Sequence, residues 1–305
     1  MKALLILNAG ARKSRKEAIH RAVGQHLHAA GIESELHETR TGEHPGDVVR
    51  ERLVDGVDLV LAAGGDGTVA AVLDGLAGTE IPLGIIPAGT ANFVARELGI
   101  PQSIDAAVAL IAANPHPVKI DAMRIRGRLY VLNVGVGLSA AVIGNMTPTS
   151  KRRFGFVAYV GSTIAKMLTQ RPRRLTVEVD GQTHTYCAVE VLVSNCGLLT
   201  KRLYPGTPDI RVDDGHLDVW VLSTQALLDY PRYLLSTVLG RRSKLEAEFL
   251  RAERMITIHS PVPLSVQADG DLIGTTPVRI EVLPKALTVL APANATRGSH
   301  EQPSR

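Results

Sequence analysis

The chain has 305 residues, 45% hydrophobic, 21% charged and 4% aromatic, with a formal net charge of +4. That length and apolar content suit two domains with a sizeable core and exclude wholesale disorder. The scarcity of aromatic rings argues against a base-stacking nucleic-acid platform, and the mild basic excess suits anionic partners such as nucleotides or a membrane surface.

In chain order, Leu4 to Leu7 reads as a buried strand, and Ser14 with Glu17 has the spacing of a capping box ahead of a helix bearing Ile19, Val23, Leu27 and Ala30. A second strand over Glu33 to His37 and a helix over Asp47 to Leu53 follow. Val57 to Ala63 is a strand, and Val69, Val72, Leu73 and Leu76 form one helical stripe. Ile81 to Ile86 is a strand, a short helix ends at Gly99-Ile100-Pro101, and Ser103 caps a helix carrying Ile104, Ala107, Val108 and Ile111. This alternation predicts an α/β domain with a parallel sheet over 1–117, completed by the segment 286–296.

After Asn114-Pro115-His116-Pro117 the texture changes, and strands follow strands. They are expected at Val118 to Ile125, Leu129 to Val134, Leu175 to Val179, Tyr186 to Val193, His216 to Leu222, Met255 to His259, Leu264 to Ala268, Val278 to Val282 and Leu287 to Leu290. Asp180-Gly181 supplies a tight hairpin turn. Helices are expected only at Phe154 to Leu168 and near Leu234. The segment 118–285 is therefore predicted to be an antiparallel all-β domain, a sandwich or a split barrel, and 297–305 a disordered tail.

The chemistry concentrates where the third strand meets its helix, at Gly64-Gly65-Asp66-Gly67-Thr68. Glycines there let backbone amides approach a phosphate, and the helix N-terminus adds about half a positive charge. Thr68 can donate to a phosphate oxygen or cap the helix. Asp66 is out of place in a bare anion cradle: a carboxylate repels phosphate unless a divalent metal or a hydroxyl proton lies between them. The plain alternative is a strand-to-helix turn with Asp as its cap. A second loop, Gly89-Thr90-Ala91-Asn92, also links an apolar strand to a helix. In a parallel sheet both loops open on one edge, where Asn8 joins them. No Gly-x4-Gly-Lys-Ser/Thr or His-Arg-Asp signature is present, which excludes ordinary P-loop and protein-kinase readings.

These two loops, with Leu98-Gly99-Ile100-Pro101, Lys119-Ile120-Asp121, Asp213-Asp214-Gly215, Asp269-Gly270-Asp271 and the Pro284 to Pro292 segment, resemble the diacylglycerol kinase catalytic-domain family, which includes soluble bacterial lipid kinases and sphingosine kinases. The resemblance implies an NAD-kinase-like α/β domain followed by a β domain. It implies an ATP- and Mg²⁺-dependent lipid kinase acting on diacylglycerol or a related lipid alcohol. Asn8, Thr41, Gly64, Gly65, Asp66, Gly67, Thr68, Gly89, Thr90 and Asn92 would bind ATP, and Asp66 would also be catalytic, positioning nucleotide and metal. Asp271 stands where the family has a Glu proton acceptor, and Asp269 shares or takes that role. Asp214 by its carboxylate, and Arg211 and His216 by their backbone carbonyls, would hold a structural Mg²⁺; a solvated turn is the plain reading of the same loop. Ala9, Ala70, Ala71 and Phe93 stand where the family often has Pro, Asn, Glu and Asp. Those departures keep a non-catalytic nucleotide sensor open as an alternative, beside a soluble-substrate kinase resembling NAD kinases.

Lys151-Arg152-Arg153 and Arg171-Pro172-Arg173-Arg174 bracket the Phe154 to Leu168 helix, either to meet anionic headgroups or as a solvated face. Leu198 to Tyr204 reads as a loop. Two cysteines, Cys187 and Cys196, are too few for a disulfide framework and point to a reducing compartment, with Cys196 packed inside. The first residues lack the apolar core of a signal peptide, and Phe154 to Leu168 is shorter than the ~20 residues a membrane span needs. A soluble cytoplasmic protein is expected, peripheral at the inner membrane face, with a lipid substrate, no nucleic-acid partner, and a homodimer left open.

Overall fold

The computed structural model describes residues 1–40, 42–113, 115–145, 171–203, 209–223 and 247–293. The chain forms two compact units, Met1–Ala122 with Pro284–Arg305, and Met123–Leu283.

In the first unit β1 (Lys2–Leu7), β2 (Glu33–Glu38), β3 (Leu59–Gly64) and β4 (Leu83–Pro87) alternate with helices. These are α1 (Lys13–Ala22, continued by a π turn over Val23–Leu27), α2 (Pro45–Arg52), α3 (Asp66–Gly75), α4 (Phe93–Glu97) and α5 (Ile104–Ala112). All the strand pairs are parallel. β1 lies between β2 and β3, with Leu5 beside Leu36 and Leu61. β4 pairs with β3, and the last strand of the chain joins β4 at Val289 opposite Leu83. Central strands are apolar on both faces because helices cover both. Ala3, Leu5 and Leu7 cluster with Ile19 and Ala22 of α1 and Val108 and Ile111 of α5, while Leu4 and Ile6 alternate to the other face. The edge strand β2 is polar and mostly exposed, which blunts its open backbone edge. The connection after β1 runs to β2 on one side, and the connection after β3 runs to β4 on the other. Open α/β sheets bind ligands at such a switch point, outside the carboxyl ends of the strands.

The second unit is an antiparallel β sandwich. Its elements are the end of β5 (Pro117–Ile125), β6 (Arg128–Tyr130), β7 (Asn133–Gly137), α6 (Leu138–Asn145), β8 (Arg173–Val179), β9 (Gln182–Ser194), α7 (Gly197–Leu203), β10 (Leu217–Ser223), β11 (Ala247–Ala252), β12 (Met255–His259), β13 (Ser265–Ala268), β14 (Asp271–Thr275) and the start of β15 (Val278–Leu290). β9 is long enough to serve two sets of neighbours: its first half pairs with β8, its second half with β7 and β10. Alternate residues meet in one core, including Val134 and Val136, Val177 and Val179, Val191 and Val193, Val219 and Val221, and Ile256 and Ile258.

Several sequence expectations need correction. Ser14 and Glu17 form no capping box: α1 starts at Lys13, and its N-cap, Arg12, makes no side-chain cap bond. Ser103 is the N-cap of α5 by backbone geometry, again without a side-chain bond. The strand expected over Leu129 to Val134 is two strands, β6 and β7, interrupted at Val131-Leu132. The two expected C-terminal strands are one continuous β15. The loop read over Leu198 to Tyr204 is α7 as far as Leu203, and α6 was read as no helix at all. Helices expected at Phe154 to Leu168 and near Leu234, the residues Lys151-Arg152-Arg153, Thr41, Tyr204 and the tail over 297–305 lie outside the described residues. Arg173 and Arg174 open β8. Among the described residues no helix is long and apolar enough to cross a membrane.

Candidate functional site

The carboxyl ends of β1, β3 and β4 bring the expected nucleotide residues of the first unit together. Asn8 follows β1, and its amide N–H bonds the Ala63 carbonyl of β3 at 3.2 Å. Its side chain donates Nδ2–H to Thr68 Oγ1 at 2.8 Å and accepts the Gly10 N–H at 2.7 Å. Thr39, at the end of β2, accepts the Ala9 N–H at 3.2 Å. The two glycine loops meet backbone to backbone. A Cβ on Gly65 would lie 3.2 Å from Gly89 Cα, and one on Gly89 would lie 2.7 Å from Asn92 Oδ1 and collide with Gly65. Glycine is needed here for proximity rather than for an unusual φ. Asn92 folds the second loop by accepting the Gly89 N–H at 3.0 Å, and Thr90 is exposed beside it.

Asp66, the first residue of α3, ties the two loops together by accepting the Val94 N–H at 3.4 Å, at the start of α4. Burial raises its carboxyl above the ordinary Asp range, and the amides of Val94, Phe93 and Asn92 offset part of that rise. Arg15 reaches across from α1 to the carbonyls of Ala88 and Gly89, the latter at 3.3 Å. Arg12, Lys13, Arg15 and Lys16 all stand at the N-terminus of α1, where no acidic residue is present. Helix dipoles favour acids at that end. Lys16 is paired with Glu38; the remaining cations are a local cost that an anion at the ends of the strands would offset.

The second unit holds the expected proton acceptors. Asp269 and Gly270 form the turn between β13 and β14, with φ values of 48° and 91°. Both Asp269 oxygens accept backbone amides: Oδ2 from Val131 at 2.9 Å, Oδ1 from Leu132 at 2.9 Å and Asn133 at 3.0 Å. Asp180, in the other Asp-Gly turn, does the same with Glu253, Arg254 and Met255 at 2.8–2.9 Å. Burial raises the Asp180 carboxyl, but those three amides outweigh it and hold the group below its ordinary range. Gln267 closes the Asp269 turn: its Oε1 accepts the Gly270 N–H at 3.1 Å, and its Nε2 donates to Asn133 Oδ1 at 2.8 Å. Asp271, the first residue of β14, is exposed.

The expected magnesium loop is a tight turn before β10. Asp214 accepts the His216 N–H at 3.4 Å, and its other oxygen lies 3.1 Å from His216 Nε2. Arg211 is paired with Asp213 at 3.1 Å. Among the described residues no three His, Cys, Asp or Glu side chains converge to hold a metal. The donors that fit a hard cation here are the Asp214 carboxylate and backbone carbonyls, all oxygen.

Residues 2–125 match the diacylglycerol kinase catalytic domain, and residues 132–291 match the YegS C-terminal NAD kinase beta sandwich-like domain. A Staphylococcus haemolyticus protein named "Putative lipid kinase" is 30% identical over 270 residues, which are 83% of this chain and 85% of that protein. The chain belongs to the diacylglycerol kinase catalytic-domain family. A Synechocystis protein without an assigned activity is 32% identical over 78% of this chain, which spans only 56% of that longer relative. A crystal structure of a diacylglycerol kinase from Bacillus anthracis strain Sterne superimposes with a TM-score of 0.77 at 27% identity, covering 96% of this chain and 97% of the other.

Within this diacylglycerol kinase family chain, the departures from the family pattern have structural places. Phe93 is buried and its amide serves Asp66. Ala70 is buried in α3, and Ala71 lies where α3 meets Gly46 of α2. Residues that motif reading missed are Arg15, Thr39, Gln267 and the pair Glu190–Ser139. Arg15 was detectable as a cation where the helix dipole disfavours one. Glu190 is fully buried in β9 and meets Ser139 at the start of α6 through both its N–H, at 2.9 Å, and its hydroxyl. Burial pushes the Glu190 carboxyl up to about 8.

Proposed function

We propose that the chain transfers the γ-phosphate of magnesium-bound ATP to the hydroxyl of diacylglycerol or a related lipid alcohol. The observation that carries this reading is the backbone contact of Gly65 with Gly89 at the carboxyl ends of β3 and β4, beside the switch point, with Arg15 on the carbonyls of the second loop. Amides of Gly65 and Gly67 at the head of α3 would receive the phosphates, and Arg15 and Thr68 would fix their oxygens. Asp66 would orient the metal that accompanies ATP; its raised carboxyl pKa suits a group whose charge is completed by a cation. The lipid oxygen attacks the γ-phosphorus, the bond from that phosphorus to the β–γ bridging oxygen breaks, and ADP leaves.

The hydroxyl proton goes to Asp271. Asp269 is the less suitable acceptor, because the amides of 131–133 on both its oxygens favour its charged form over a protonated one. Its part is to hold the turn that presents Asp271. A structural magnesium ion, which would brace the β domain by neutralising its acidic turn, would sit on Asp214 and the carbonyls of Arg211 and His216. We place the reaction at the cytoplasmic membrane surface, where the lipid is found.

Labelled ATP and Mg²⁺ incubated with diacylglycerol micelles, with a total lipid extract, and with NAD decide the acceptor class. Label is expected in lipid and not in NAD. Asp66→Ala should abolish turnover, and Asp271→Asn should lower kcat by about 10²–10⁴-fold with little change in KM for ATP. Label in NAD alone, or ATP binding with no transfer to any acceptor, would overturn the reading.

A further inference from the structure

In the second unit a cavity of about 400 Å³ is lined by Arg124, Arg126, Gly127, Pro277, Arg279 and Glu281. The three arginines are exposed and Glu281 is half-buried, so the recess is open to solvent and its lining carries excess positive charge. Glu281 is taken by Arg124, Nη1 to Oε2 at 3.1 Å. Arg126 is pinned by two carbonyls, Ile273 at 2.8 Å and Thr275 at 3.1 Å. Arg279 meets Met255 Sδ at 3.1 Å, and a thioether is a weak acceptor. Each guanidinium presents five N–H donors, and most of these have no protein partner among the described residues.

The position of Arg126 is specific. It holds φ at 51°, in the left-handed region that a long side chain rarely adopts. Gly274, at φ 130°, leaves the room its guanidinium occupies, since a Cβ there would strike Nη1. Folding gains nothing from gathering three like charges around a recess, with one of them on a strained turn residue. An anion with several oxygens turns that repulsion into charge-assisted hydrogen bonds, and planar guanidinium forks suit phosphate in particular.

We propose that Arg124, Arg126 and Arg279 form a binding site for a phosphate-ester group, using no residue assigned to phosphoryl transfer. The site would take that group either from a soluble phosphate ester or from a phospholipid headgroup. It stands independently of which substrate the chain phosphorylates.

The test compares the full chain with the double variant Arg124→Gln, Arg279→Gln. A second double variant, Arg21→Gln with Lys119→Gln, matches the charge change at exposed positions of the first unit. One arm titrates glycerol 3-phosphate. The other sediments the protein with vesicles of phosphatidylglycerol and phosphatidylcholine, against phosphatidylcholine alone. Thermal midpoints are recorded for every variant, and single Arg124→Gln and Arg279→Gln chains replace the pair should it melt early. Loss of about tenfold in affinity, confined to the cavity variants and steepest at low salt, is expected in one arm. Loss in the first arm identifies a soluble ester, and loss only in the second a headgroup. Equal binding by the parent, cavity variants and charge control in both arms would overturn the proposal.

Discussion

A carboxyl buried as deeply as Glu190 makes the stability of its β sandwich depend on pH. In the fold it titrates at about 8, against 4.5 for the free group. Between those values the folded chain holds a proton that the unfolded chain has lost, so stability falls as pH rises through this window and levels off above it. Glu190→Gln keeps the side-chain size and an acceptor for the Ser139 N–H. The difference in unfolding free energy should move in the variant's favour from pH 5 to pH 8, by on the order of a few kcal/mol. A pH-independent difference would mean that the group is ionised inside the sandwich. At this scale the sequence was informative only where a residue type broke a local expectation. Asp66 in a glycine turn is of that kind. Glu190 is not, because its partner Ser139 lies 51 positions away.

Elements were legible where one period dominated. β1, β3, β4, β8 and β12 follow from apolar runs or alternation, and Met255–His259 agrees to the residue. The misses share a cause: Leu138–Asn145 and Gly197–Leu203 are short and lack one apolar stripe, so their packing rather than their period makes them helical. Helix packing brought its own surprise at Gly46 of α2. A Cβ there would collide with the Ala71 carbonyl oxygen and lie 3.2 Å from the Gly75 amide of α3. Gly46→Ala should cost about 1–3 kcal/mol in urea unfolding, because α2 must move away from α3. Gly24→Ala, with no atom within 4 Å of its new Cβ, is the control. An unchanged midpoint for Gly46→Ala would contradict the close contact. The two Asp-Gly turns make the same point about function: both use the Asp to collect three amides, so the pair of letters marks a clamp, and only the residue after Gly270 distinguishes a candidate site.

Across the whole molecule, the order of helical and strand-rich halves was readable because each half keeps one texture. What no single stretch of sequence contains is the strand order. Placing β3 between β1 and β4 is what brings Asn8, Thr68, Gly65 and Gly89 to one edge, from segments separated by up to 81 positions. Everything assigned to the nucleotide depends on that juxtaposition. The most direct measurement is therefore a crystal of the full chain soaked with magnesium and a non-hydrolysable ATP analogue. Phosphate oxygens are expected on the amides of Gly65 and Gly67 and within hydrogen-bond reach of Arg15. A triphosphate bound elsewhere, with the Gly64–Thr68 turn vacant, would contradict the assignment.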